Sequence, residues 1–270
     1  MTKLLEADIK SLTITELSKR GFLDSSSLLM NELTVGNFDR RVDLAFTNKD
    51  RLIAIEIKSE ADSLQRLEGQ IETYAQYFDK VIVVVAPKFV SKLKCSTPSW
   101  LGIWEISNDG LRVHRKGRYR NKVSKSNLID FLDVVDLKKL SNKFKIKCGN
   151  TRYSLEENIS NLPQRELRRA VLASLERKFR DVTERFFDGF SKAQKNGQDL
   201  KLLSRFLAQK ELALEKRKSN RYFWANLDSY LESLREYADE KPFDANQPSR
   251  HLCPEHHLYY RNKAEYEDVC

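Results

Sequence analysis

The sequence predicts an α/β fold, a mixed β-sheet flanked by helices and followed by an all-α carboxyl-terminal region. Three stretches carry that prediction. Leu52-Ile53-Ala54-Ile55-Glu56-Ile57-Lys58 is an apolar strand that ends on charges, and Val81-Ile82-Val83-Val84-Val85-Ala86 is a continuous β-branched run stopped by Pro87. Beyond residue 125 the apolar residues recur only at helical spacing. A run like that at Val81 is the pattern of a central strand buried on both faces.

Taken in order, Leu4 to Lys19 reads as a first helix, closed by Gly21. Arg41-Val42-Asp43-Leu44-Ala45-Phe46 and the Leu52–Lys58 run pair as a hairpin around the polar turn Thr47-Asn48-Lys49-Asp50-Arg51. Leu64, Leu67, Ile71, Tyr74, Ala75 and Phe78 mark a helix that leads back into the buried run. A short helix near Lys88 to Lys94 follows, then two strands around Asn108-Asp109-Gly110 that extend the sheet. In the helical half, Leu128, Phe131, Leu132 and Val135 mark one helix. Leu167, Val171, Leu172, Leu175 and Phe179 mark another just after Pro163, and Phe186, Phe187 and Phe190 carry it onward. Two more helices are expected over 198–218 and 221–238. The domain expectation is therefore 1–120 for the sheet, 121–240 for the helices and 241–270 for a tail. The helical half carries no repeat and no catalytic constellation; its expected role is substrate positioning, or association with a second copy or a partner protein.

Side chains alternate faces along a strand. Ile53, Ile55 and Ile57 line one face, while Leu52, Ala54, Glu56 and Lys58 line the other. On the preceding strand Val42, Leu44 and Phe46 point one way and Asp43 the other. Charges on hairpin strands ordinarily form a solvated face. Here, pairing brings Asp43 towards Glu56, so two carboxylates and a lysine converge at a strand end. Mg²⁺ takes one or two carboxylates with waters and phosphate oxygens, which makes this a candidate site for a divalent metal and a phosphate. On the following helix, Asp62, Arg66, Gln70 and Tyr74 recur every four residues as a slowly drifting stripe. Tyr74 at the edge of the apolar face turns part of it, with Gln70, towards the sheet.

Asp43 followed by Glu56-Ile57-Lys58 resembles the motif of the PD-(D/E)XK nuclease superfamily, whose restriction-endonuclease-like core is a helix, three strands, a helix and a strand. The series Arg41-Val42-Asp43, Glu56-Ile57-Lys58-Ser59, Asp62, Arg66-Leu67, Gln70 and Tyr74, with Glu32 upstream, is similar to a bacterial family of largely uncharacterised members. Residues 1 to 90 carry the match, and Val42 replaces the namesake proline. The resemblance implies a Mg²⁺-dependent endonuclease, with Mn²⁺ as substitute, in which Asp43, Glu56 and the Ile57 carbonyl hold the metal. Lys58 would orient or activate the attacking water, and Glu32 would assist as a supporting acid or a ligand to a second ion. DNA is the favoured substrate, with defence against foreign DNA as one setting. The alternatives are a catalytically silent nuclease fold used for nucleic-acid binding or assembly, and an RNA-directed nuclease.

The net charge of +9 is unevenly spread. Residues 1–111 hold fourteen basic and sixteen acidic side chains, whereas 112–125 hold seven basic and none acidic: Arg112, Arg115, Lys116, Arg118, Arg120, Lys122 and Lys125. With Gly117 and Tyr119 among them, this reads as a phosphate-seeking loop with an aromatic for stacking, or else a solvated basic linker. Acids in Met1 to Asp8 interrupt any signal peptide, and the longest apolar run is far short of a membrane span. Four scattered cysteines do not make a disulfide framework, so a reducing cytoplasm is expected. Glu6 and Asp8 are further candidate acids. In the tail, His251, Cys253, His256, His257 and Cys270 offer the beginning of a zinc site without a second well-spaced pair.

Overall fold

The computed structural model describes residues 4–36, 40–107, 110–147, 149–192, 200, 202–204 and 207–240. Helix α1 (Glu6–Lys19) opens the chain and ends as the glycine predicts. Gly21 takes φ +69°, its N–H donates to the Ser18 carbonyl, and Phe22 N–H reaches back to Leu17 at 2.9 Å. These are the two bonds of a Schellman closure.

Six strands follow and form one sheet in chain order: β1 (Leu29–Val35), β2 (Arg40–Asn48), β3 (Arg51–Lys58), β4 (Lys80–Val85), β5 (Gly102–Ser107) and β6 (Gly110–Arg115). β1, β2 and β3 pair antiparallel, as do β5 and β6, while β3–β4 and β4–β5 are parallel. Parallel joints need crossovers, which here contain α2 (Leu67–Tyr77) and α3 (Pro87–Ser96). Pro87, which ends the apolar run, opens α3 in its first turn, where a missing N–H costs nothing.

Helices cover both faces. On one, Leu52, Ala54, Val81, Val83 and Val85 pack with Leu67, Ile71 and Tyr74 of α2. On the other, Ile53, Ile55, Ile57, Ile82 and Val84 pack with Ile9, Ile14 and Leu17 of α1. The alternation of β3 thus holds throughout, but that of β2 does not: Leu44 and Phe46 join the α1 side, while Val42 joins the α2 side. The change of layer falls at Asp43, opposite Glu32, which holds φ +56° in mid-strand. A left-handed residue there breaks the pleat, and the same break kept β1 from showing a period of two.

The remaining helices are α4 (Lys125–Asp130), α5 (Val134–Lys143), α6 (Arg152–Ile159), α7 (Gln164–Lys192) and α8 (Leu207–Glu240). The single helix expected around 128–135 is two, because the Asp133 carboxylate caps α5 through the Asp136 N–H at 2.9 Å. The two expected over 198–238 are one, α8. Nor does the chain divide at 120: its compact units are Met1–Ala208 and Gln209–Cys270. Leu128, Leu137, Leu155 and Leu167 belong to the same core as Leu52 and Val83, so helices α4 to α7 complete the first unit. They cover an apolar sheet face that a domain ending at 120 would leave in water. The long α7 serves both layers, with Val171 and Leu175 on the α2 side and Val182 and Phe186 on the α1 side. It also closes an edge of the sheet, since the Thr183 hydroxyl accepts from Leu29 N–H at 3.0 Å and donates to the Leu29 carbonyl at 3.2 Å. The second unit's described residues, 209–240, all lie in α8. The tail cluster from His251 to Cys270 lies outside the described residues.

Candidate active site

The parallel register sets Glu56 beside Val83 and Lys58 beside Val85, at the carboxyl end of β3 and β4. Open α/β sheets bind their ligands at this end. Glu56 is buried on the α2 face, and the protein itself holds both carboxylate oxygens. Lys58 Nζ lies 2.6 Å from Oε1, Gln70 Nε2 donates to Oε1 at 2.5 Å, and the Tyr74 hydroxyl lies 3.0 Å from Oε2. That hydroxyl is also 2.9 Å from the Arg41 carbonyl, and its one proton serves one acceptor at a time. Burial, then the neighbouring Glu56 charge, pushes the Tyr74 hydroxyl well above its ordinary pKa and keeps it a donor.

Asp43 completes the site. Its Oδ2 accepts from Ile57 N–H at 2.7 Å, which locks it to the strand that carries Glu56. Burial, followed by repulsion from Glu56, raises the Asp43 carboxyl to about 7. The Glu56 charge beside it disfavours a second charge on Asp43.

A salt-bridge chain lies beside this pair. Lys10 of α1, only 4% exposed, places Nζ 2.8 Å from Glu6 and 3.9 Å from Glu32, and Arg41 Nη1 is 3.3 Å from the other Glu32 oxygen. Lys10 acts on Asp43 as an opposing positive charge. The expected Glu32 is thus joined to Lys10 and Arg41, while Glu6 serves as the counter-ion of Lys10. Asp8 accepts from Leu5 N–H at 3.0 Å and caps its own helix. Asp62 accepts from Ser59 N–H at 2.8 Å and shapes the loop after β3. Lys10 was not among the expected residues, although a signal exists: it falls four and seven residues before Ile14 and Leu17, on the buried face of α1.

The basic segment is not part of this constellation. Arg118 N–H donates to the Trp100 carbonyl and Arg120 N–H to the Asp79 carbonyl, which ties the segment to the amino ends of β4 and β5. Lys80 and Val85 bound β4, so about five residues, roughly 17 Å, separate it from the carboxylates along the strands. Arg115 is structural, with its guanidinium donating to the carbonyls of Lys94 at 3.0 Å and Pro98 at 2.6 Å. Arg112, Lys116, Arg118 and Lys122 are exposed. His114 lies 2.8 Å from Glu105 across β5 and β6.

Among the described residues no three His, Cys, Asp or Glu side chains gather as a metal cluster, and no helix is long and apolar enough to cross a membrane. Residues 1–204 match the family described as Bacteriophage P4 protein cII. This chain belongs to that family. The match takes in the whole sheet and every residue of the site. The chain is 32% identical over 255 residues to protein cII of Enterobacteria phage P4, covering 89% of this chain and 95% of that relative. A solved protein of unknown function from Silicibacter pomeroyi is 16% identical, with a TM-score of 0.36 over 55% of this chain and 98% of its own.

Proposed function

We propose that this protein is a metal-dependent phosphodiesterase acting on DNA, built on a restriction-endonuclease-like core. The observation that carries the reading is the meeting of Asp43, Glu56 and Lys58 at the carboxyl end of β3, with Gln70 and Tyr74 braced against Glu56. The order α1-β1-β2-β3-α2-β4 supports it, since it follows the helix, three strands, helix and strand of the PD-(D/E)XK core.

The buried Glu56 and the half-buried Asp43 beside it form a donor set suited to Mg²⁺, for which two carboxylates with waters suffice. Asp43, Glu56 and the Ile57 carbonyl would hold the ion. When bound, it would acidify water and offset phosphate charge. Gln70 and Tyr74 fix the rotamer of Glu56, so its orientation does not depend on a ligand. The Lys58 ammonium, now on Glu56, is positioned to turn towards a phosphodiester and donate to the oxygens that gain charge. A water oxygen would attack phosphorus and lose a proton to solvent as the bond to the leaving sugar oxygen breaks, and that oxygen would take a proton from solvent to leave as the alcohol. Lys10 and Arg41 hold Glu32, where it would assist as a supporting acid or a ligand to a second ion.

The test incubates the full chain with supercoiled and linear DNA, and in parallel with RNA of matching sequence. Cleavage should require Mg²⁺ or Mn²⁺, cease in chelator, and fall at least about a hundredfold in Lys58→Ala. Undiminished cleavage in excess chelator, or full activity in Lys58→Ala, would overturn the reading. Cleavage of the RNA alone would reassign the substrate.

A further inference from the structure

The amino-terminal ends of β4 and β5 carry a second concentration of positive charge with its own architecture. Gly117, at φ +75°, lies directly on Gly102: a Cβ there would stand 2.8 Å from Gly102 N and 3.2 Å from Lys80 Cε. The loop can press so closely because position 117 has no side chain, and in doing so it covers the stem of Lys80, which is only 7% exposed. The Lys80 ammonium lies 5.1 Å from the centre of the Tyr119 ring and has no ion-pair partner among the described residues. The nearby acid cannot serve it. Asp79 accepts from Leu52 N–H at 2.8 Å and from both terminal nitrogens of Arg168, at 2.8 and 2.9 Å.

The next cation is in a similar position. The Arg120 guanidinium stacks 4.1 Å above Trp100, and its buried Nη1 has no hydrogen-bond partner among the described residues. Lys116, Arg118 and Lys122 add exposed charges on the same segment, and Tyr119 leaves 47% of its surface in solvent. An enclosed ammonium and an orphaned guanidinium donor are costly alone and are offset by an anion. Burial, then the charge of Lys116, holds the Lys80 ammonium below its ordinary pKa, consistent with the missing counter-charge.

We infer that Lys80, Lys116, Arg118, Arg120 and Lys122 form a phosphate-binding site at this end of the sheet, with Tyr119 as a stacking platform, that takes the backbone of a nucleic-acid strand away from the catalytic carboxylates. Tyr119 favours a strand over a lone phosphate, because an aromatic among cations matches successive bases beside successive phosphates. The site stands apart from the cleavage chemistry and does not depend on it.

The experiment uses the full chain carrying Asp43→Asn and Glu56→Gln, with chelator present, so that binding is read without cleavage. The probes are a fluorescent oligothymidylate of roughly 12 nucleotides, followed by anisotropy, and inorganic phosphate, followed by the Lys80 side-chain NMR signal. Oligonucleotide binding should persist in this background. Lys116→Gln, Arg118→Gln and Lys122→Gln together should weaken it at least about tenfold and reduce its log-log salt slope by about 2, near 0.7 for each phosphate contact on a single strand. Tyr119→Ala should weaken it at least about fivefold. Lys80→Met tests the enclosed cation, and Lys80→Arg should restore binding. The exposed triple variant keeps the test decisive if Lys80→Met does not fold. An unchanged affinity and salt slope in the triple variant overturns the site. Saturable phosphate binding at Lys80 with no oligonucleotide binding overturns the strand and assigns a free phosphate ligand.

Discussion

Replacing Asp43 with asparagine measures the cost of enclosing a second carboxylate beside Glu56. The folded protein raises Asp43 from 3.8 to about 7, first by burial and then by the Glu56 charge. Between those values the folded state keeps a proton that the unfolded chain has released. Stability at this site is therefore complete below about pH 4, declines as pH rises to about 7, and stays reduced above it. About three units at 1.36 kcal/mol each set a ceiling near 4 kcal/mol for Asp43. Asparagine still offers an acceptor to Ile57 N–H, and its amide can donate to Glu56. Asp43→Asn should consequently be more stable than the parent by about 2–4 kcal/mol at pH 8, a rise in Tm of roughly 5–15 °C for a unit of this size. The gain should vanish towards pH 4. Thermal unfolding of both proteins across this range, in chelator, measures it. Adding Mg²⁺ should raise the Tm of the parent and not of the variant, and cleavage should be lost. A gain of equal size at every pH would show that the Asp43 carboxyl is not raised in the folded protein. A pH-dependent gain with full cleavage would leave the electrostatics standing and remove Asp43 from the metal site.

Three further outcomes follow from the packing. Thr183→Val leaves Leu29 N–H and its carbonyl without their partner, so it should cost about 1–3 kcal/mol and speed amide exchange at Leu29; unchanged exchange would mean that α7 does not close this edge. Asp136 is drawn below its ordinary pKa because, against the cost of burial, hydrogen bonds from Ser174, Arg177 and Lys178 prevail. Its contribution is present above about pH 4 and lost as pH falls below, so Asp136→Asn should destabilise at neutral pH by about 1–3 kcal/mol and much less in acid, as urea titrations at two pH values would show. Arg115→Gln frees the carbonyls of Lys94, Thr97 and Pro98, so it should lower the Tm while leaving the salt dependence of oligonucleotide binding unchanged; a flatter salt slope would place Arg115 on the nucleic acid instead.

Local chemistry made much of the first unit legible. The β-branched run at Val81, the alternation of Leu52 to Lys58 and the glycine after Lys19 each name an element through backbone preference and burial, which are properties of neighbours in sequence. Gln70 and Tyr74 were legible for the same reason, since helical spacing alone sets them on one stripe. Other features depend on residues far apart in the chain. Glu32 breaks the period of two in β1 through a left-handed backbone, so the strand shows itself only when paired to β2. Lys10 joins the site because α1 lies across the face carrying Ile55 and Ile57, and the order in which helices pack on a sheet is not written in any one helix. The seven bases of residues 112–125 look like one patch in sequence. Tertiary structure divides them, because backbone bonds from Arg118 and Arg120 tie the segment to the amino ends of β4 and β5 while Arg115 turns inward to satisfy carbonyls. Charge is a property of composition; which charges remain free to meet a phosphate is decided by where the chain needs donors for itself.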